Sequence, residues 1–331
     1  MTQFRMAALL AAALVITTMF HGCGEGEAQQ SPMMKIAVIP KGTSHEFWKA
    51  VHAGAAQRAW ESDGMVEIIW KGPAREDDRD DQIKVVEQFI TKGVDGIVIA
   101  PLDDTALVRP LKEAKEESIP VVVFDSGINW EGYDSYIATN NFEAGRSAAH
   151  ELARQMGGKG NVVVMRYVEG SASTTQREEG FLDVIRSDYP EITIISDNQY
   201  GGATLEGCFS TAENLLDKYQ SFDGAYAPCE PATVAFMRAL EQSDRKKKTR
   251  LVGFDASKTL VEGLENGKVD ALMVQSPFLM GYKSVDQLIA TISGKEITKE
   301  VDTGVAVITK ANMSEPQNEA LLNPPSVDNV N

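Results

Sequence analysis

The stretch KIAVIPKGTSHEFWKAVHAGA, Lys35–Ala55, decides how the rest of the chain is read. Lys35–Ile39 is a short run rich in β-branched residues, with no polar position after Lys35. Such a run fits a strand covered on both faces. From Phe47 to Glu61 the spacing predicts a helix, with Ser44 placed to cap it. The turn between the two carries Lys41, Ser44, His45, Phe47 and Trp48. A plain connection would use small solvated residues, so this turn carries chemistry as well as geometry.

The same unit recurs along the chain. Candidate strands follow at Val66–Trp70, Gly96–Ala100, Val121–Phe124, Tyr136–Ala138, Asn161–Met165, Ile192–Ser196, Gly224–Ala227, Leu251–Phe254, Ala271–Val274 and Val305–Ile308. Amphipathic segments alternate with them: 80–92, 107–117, 143–156, 177–187, 205–219, 233–243, 259–266 and 280–292. In the first of these Ile83, Val86, Phe89 and Ile90 make one stripe. Gly93 and Gly267 fall just past helix ends, where a left-handed stop is expected. Strand–helix alternation on this scale predicts an α/β protein with doubly wound parallel sheets. Eleven strands exceed one ordinary open sheet, so two lobes are expected. YIATN, Tyr136–Asn140, runs straight into a helix without a polar linker, which points to lobes joined by crossing strands.

The 331 residues suffice for two cores. A formal charge of −16 repels nucleic acid and anionic lipid, so no nucleic-acid partner is expected. At the start, Arg5 precedes an apolar run from Met6 to Phe20, the length of a signal-peptide core and too short for a confident membrane span. Gly22-Cys23 then resembles a bacterial lipobox, although Phe20 and His21 depart from it. Residues 1–23 are therefore expected to form a signal peptide with lipidation at Cys23, against ordinary secretion with cleavage nearby. Residues 24–34 read as a flexible linker. Export leaves Cys208 and Cys229 as either a disulfide or a free buried pair. Residues 311–331 lack periodicity until EALL and read as a mostly extended tail.

In open parallel sheets ligands bind beyond the carboxyl ends of the strands. Those ends collect Asp103 and Asp104, Asp125 and Ser126, the segment Tyr167–Arg177, Tyr200, Cys229 and Glu230, Asp255, and Gln275, besides Lys41, His45, Phe47 and Trp48. The four histidines are scattered, so no zinc site is expected. There is no G-x-S-x-G elbow and no phosphate loop; GGKG at 157–160 links a helix to a strand, the wrong order for a phosphate cradle. Adjacent aromatics among carboxylates, an arginine and an amide suit a ring with an apolar face and a rim of hydroxyls, such as a pyranose or furanose. Each residue alone has a plainer role: Phe47 and Trp48 as core packing, Asp103 or Asp104 as a helix cap, Asp255 likewise. Arg177 opening a helix would run against the helix dipole.

These residues carry a family resemblance. IAVIPKGTSHEFW, GIVIAPLDDTAL, PVVVFDS, REEGF, LVGFDAS and ALMVQSP stand in the order and spacing of periplasmic sugar-binding proteins of ABC importers, ribose/galactose type. The likeness spans roughly 35–310. It implies two lobes joined by three crossovers: 35–139 plus 276–303, and 140–275 plus 304–312, with 313–331 a C-terminal tail. By position it implies ligand contacts at Lys41, His45, Phe47, Trp48, Asp125, Ser126, Arg177, Cys229, Asp255 and Gln275, with Ser44, Tyr200 and Glu230 as weaker candidates.

The departures bear on the ligand. Lys41, His45, Ser126 and Cys229 replace a serine, an asparagine, an arginine and an asparagine of the ribose pattern. Ala100 stands where an asparagine is expected. Ala203 stands near the second-lobe aromatic, whose stacking Tyr200 would take over. Ribose gives way to another monosaccharide, a polyol or a sugar acid. The resemblance implies no cofactor, no catalysis, a monomer, and a permease in the inner membrane as partner, with a chemoreceptor or sensor kinase as the alternative. A carboxylate pair of Asp125 and Asp255 in a sugar-modifying enzyme is the third reading. A disulfide between Cys208 and Cys229 would stiffen the pocket wall.

Overall fold

The computed structural model describes residues 33–245 and 248–327. The signal-peptide and lipidation expectations, Cys23 included, fall outside them. Among the described residues no helix is long and apolar enough to cross a membrane.

Two six-stranded sheets organise the chain. The first contains β1 (Met34–Ile39), β2 (Val66–Trp70), β3 (Gly96–Ile99), β4 (Val121–Phe124), β5 (Ser135–Ala138) and β11 (Glu300–Asp302). Its order is β11-β5-β4-β3-β1-β2, all parallel. The second contains β6 (Gly160–Arg166), β7 (Ile192–Tyr200), β8 (Gly224–Tyr226), β9 (Arg250–Phe254), β10 (Ala271–Gln275) and β12 (Val305–Thr309). Its order is β12-β10-β9-β8-β6-β7, parallel except for the antiparallel edge strand β12. The central strands β3 and β4 are buried at every position, as their unbroken apolar runs require.

Helices cover both faces of each sheet. On the first, α1 (Glu46–Trp60) and α9 (Pro277–Ile292) close one core, and α2 (Arg79–Lys92) and α3 (Val108–Glu116) the other. On the second, α4 (Asn141–Met156) and α5 (Ala172–Asp188) cover one face. The other is covered by α6 (Leu205–Lys218), α7 (Glu230–Gln242), α8 (Lys258–Glu265) and α10 (Pro316–Leu322). The chain passes between the two lobes three times, after β5, after β10 and between β11 and β12.

Three local expectations are corrected. α5 begins at Ala172, five residues before Arg177, which therefore lies in the second turn and not at the helix mouth. Its start, ASTTQ, has modest helix propensity, and burial of Ser173 and Thr174 holds it helical. α1 is capped by His45, whose side chain makes no capping bond, and Ser44 is exposed outside it. The C-terminal stretch is not simply extended. Pro316 starts α10, and Leu322 is buried in the second lobe's core.

Candidate functional site

The carboxyl ends of both sheets face one cavity of about 360 Å³ between the lobes. Its walls are Lys41, His45, Phe47, Trp48, Glu76 and Asp125 from the first lobe. Tyr167, Ser173, Thr174, Arg177, Cys229, Glu230, Pro231 and Asp255 come from the second, with Gln275 at a crossing point.

The two lobes present matching carboxylates. Phe124 ends β4 and Phe254 ends β9, and each is followed by an aspartate at positive φ, 59° at Asp125 and 69° at Asp255. Each aspartate N–H reaches the neighbouring strand, Asp125 to the Ile137 carbonyl and Asp255 to that of Met273, both at 2.9 Å. A left-handed residue other than glycine costs about 1–2 kcal/mol. Asp tolerates it better than most residues, and here it turns both carboxylates into the cleft. Both are buried.

Lys41 joins the lobes. Its ammonium lies 3.2 Å from Asp125 Oδ2 and donates to Ser173 Oγ at 2.9 Å and Ser171 Oγ at 3.3 Å. All three of its protons are thus committed to protein oxygens. Arg177 is held as firmly. Its Nε donates to Asn141 Oδ1 (2.8 Å), Nη1 to the Pro228 carbonyl (3.0 Å) and Nη2 to Gln275 Oε1 (2.8 Å). The guanidinium lies over the Phe254 ring, 4.5 Å from its centroid. The close α4–α5 crossing brings it there: a Cβ at Gly145 would stand 2.0 Å from the Arg177 carbonyl oxygen. Gln275 Nε2 passes the network on to Asp255 Oδ1 at 2.7 Å, and Asp255 Oδ2 accepts the Glu230 N–H at 3.0 Å.

On the first-lobe wall Phe47 and Trp48 meet edge to face, 4.9 Å between centroids. Trp48 Nε1 donates to Glu76 Oε1 at 2.7 Å, and His45 Nδ1 lies 2.7 Å from the same oxygen. Burial opposes the charge on both members of the His45–Glu76 pair. Their mutual bond and attraction outweigh it, with Lys41 adding to the field at Glu76. The imidazole is therefore held above its ordinary value and the carboxyl below its own. Across the cavity, burial and then the Asp255 charge push Glu230 up to about 7. Burial also raises Asp255, against the pull of Arg177.

A periplasmic binding protein domain matches residues 36–296. The chain belongs to the periplasmic binding protein family. Among solved structures, this periplasmic binding protein is similar to an ABC transporter solute-binding protein from Agrobacterium vitis with bound D-fucose. The two are 33% identical over 87% of this chain and 100% of that one, with a TM-score of 0.84. It is also similar to a carbohydrate transporter solute-binding protein from Agrobacterium radiobacter in complex with D-arabinose, with 30% identity, 88% and 99% coverage and a TM-score of 0.83. Among curated relatives, the D-ribose/D-allose-binding protein of Pseudomonas aeruginosa is 25% identical over 91% of this chain and 97% of its own.

The structure of this periplasmic binding protein gathers nine of the ten main candidates, Lys41, His45, Phe47, Trp48, Asp125, Arg177, Cys229, Asp255 and Gln275, around the cavity, and Glu230 with them. Ser126 stands apart from the cavity wall, fully buried, with its Oγ accepting the Ser173 N–H at 3.1 Å. It binds lobe to lobe. Tyr200 ends β7, the edge strand of the second sheet, with its side chain exposed and apart from the cavity wall. Tyr167 is the second-lobe aromatic on the cavity. Its hydroxyl lies 3.4 Å from the Ala203 carbonyl and its N–H bonds to the buried Glu178. Cys208 and Cys229 are both buried free thiols, so the pocket wall carries no disulfide. Burial raises both thiols, Cys208 to about 12, which keeps them neutral. Among the described residues no cluster of His, Cys, Asp or Glu could hold a metal ion.

Proposed function

We propose that the chain binds a monosaccharide or related polyol reversibly between its two lobes and delivers it, outside the cytoplasm, to the permease of an ABC importer. The observation that carries this reading is the single cavity in which Asp125 and Asp255, one from each lobe, face a Phe47–Trp48 wall, with Arg177 and Gln275 beside them. Carboxylates accept from paired hydroxyls, the guanidinium and amide donate to ring and hydroxyl oxygens, and aromatic faces cover the apolar side of a ring. Relatives named as import binding proteins and sugar complexes support the ligand class. Half of the site lies on each lobe, so a ligand that touches both shifts the equilibrium toward the closed arrangement. Nothing in this chemistry calls for a bond to be broken.

A thermal-shift screen followed by calorimetry tests the reading. Neutral monosaccharides and cyclic polyols are expected to raise the melting temperature of the mature protein through mass action. No response to any neutral sugar, polyol or amino sugar overturns it.

A further inference from the structure

Glu230 stands out inside the cavity. Its Oε2 is buried and has no hydrogen-bond partner. Buried polar atoms are almost always paired, and an unpaired carboxylate oxygen is among the costliest exceptions. The same carboxyl lines the ligand cavity, so the missing donor is one that the ligand brings.

The charges around it indicate what that donor is. Lys41 is matched by Asp125, and His45 by Glu76. Arg177 remains to balance both Asp255 and Glu230, leaving one uncompensated negative charge when all are ionised. A carboxylate on the ligand would worsen this, which sets sugar acids aside. A neutral hydroxyl satisfies the free oxygen but leaves the charge.

We propose that the ligand is a polyhydroxylated ring carrying a protonated amine, an amino sugar or amino-polyol, with its ammonium at Glu230 and Asp255. This rests on the sugar-binding reading above and narrows it. The ammonium supplies the missing donor and the missing positive charge at once, in a site screened from water where charge-assisted bonds are strongest. The charged groups acting on Glu230 are Asp255, His45 and Glu46, with the Phe47 N–H also favouring its ionised form. Near pH 7 the carboxyl of the empty site is partly protonated, so an ammonium ligand displaces a proton and a neutral one need not.

The test pairs D-glucosamine, D-galactosamine and D-mannosamine with their parent hexoses and N-acetyl derivatives, beside D-fucose, D-arabinose, D-ribose and myo-inositol as further neutral ligands. Isothermal calorimetry on the mature protein is expected to show at least one amine bound roughly 10–100-fold more tightly than its parent. At pH 6.5, buffers of unlike ionisation enthalpy should report a proton released with the amine. Glu230→Gln, which keeps size and shape, should bring amine and parent to within about threefold. Neutral ligands binding as well as or better than every amine overturn the proposal and leave the sugar reading standing. An amine preference that survives Glu230→Gln overturns the assignment to Glu230. Failure of every ligand, neutral and aminated, overturns the sugar reading and this proposal with it.

Discussion

Replacing Gly170 with alanine should weaken ligand binding while leaving each lobe folded. Gly170 sits at φ +90° in the second-lobe loop that leads into α5, against the first lobe. Its carbonyl accepts the Asp104 N–H at 3.0 Å, and the preceding Glu169 carbonyl accepts from Arg79 Nη2 at 2.8 Å. A Cβ there would lie 2.4 Å from Asp103 Oδ2 and 3.1 Å from Arg79 Nη2. Asp103 cannot easily swing away, because its Oδ1 accepts the N–H groups of Thr105 and Ala106 and its Oδ2 bonds Arg79 Nε at 2.8 Å. The positive-φ strain of alanine is present whether the lobes are apart or together, so it lowers stability without biasing closure. The clash exists only when the lobes meet, and relieving it loosens both bonds across the cleft. A neutral backbone bond is worth about 1 kcal/mol, and the bond from half-exposed Arg79 adds somewhat more. A closure penalty of about 1–3 kcal/mol follows, or about 5–150-fold in Kd, because apparent affinity scales with the fraction able to close. Calorimetry on the ligand found in the screen reads the change, and small-angle scattering with and without ligand reads compaction. Arg79→Ala removes one bond without a clash and should cost less, about 2–10-fold. Gly170→Ala with unchanged affinity and compaction would refute the idea that this loop seals the closed form.

Lys41→Met should leave Asp125 buried without its cation and destabilise by about 3–5 kcal/mol in denaturant titration, with much of the loss recovered in Lys41→Met/Asp125→Asn. Trp48→Phe keeps the edge contact with Phe47 but removes one donor to buried Glu76, an expected loss of about 1–3 kcal/mol by the same assay. The His45–Glu76 pair predicts a stability profile with two limbs. His45, raised above 6.5, contributes fully below pH 6.5 and loses its contribution as pH climbs through the raised value; Glu76, lowered from 4.5, contributes above pH 4.5 and fails as pH falls through the lowered value. Thermal melts of His45→Gln should show a flattened alkaline limb. Intact mass after alkylation should show Cys208 and Cys229 unlabelled in the native protein and both labelled, without reductant, once it is unfolded.

The architecture was legible because its signals repeat. Runs free of polar residues, VVVF at Val121–Phe124 and LVGF at Leu251–Phe254, fall where the sheets are buried on both faces. β11 escaped notice because three residues, Glu300–Asp302, carry too little pattern and owe their conformation to pairing with β5. α10 escaped for a similar reason: seven residues with one buried leucine hardly show a period, and docking on the second lobe makes the helix.

Glu76 was the site residue that the sequence hid, although the rule that finds it is the one that found the others. It follows β2, at the same sheet edge as Lys41 and Asp125. β2 is an edge strand and only its first residue is buried, so the polar run after it, KGPAREDD, reads as solvated loop. Its function depends on partners that no local pattern announces, an imidazole and an indole donating to one oxygen from a helix 15 or more residues long that starts thirty residues earlier. The same limit governs charge. In the sequence, Lys41 and His45 stand as basic residues where the ribose pattern has a serine and an asparagine. In the folded protein each is neutralised by a carboxylate of its own lobe, Asp125 and Glu76. The cleft's electrostatic character therefore comes from pairing, which only the fold supplies. What remains unpaired after those pairs are struck out is Glu230, and the ligand has to answer it.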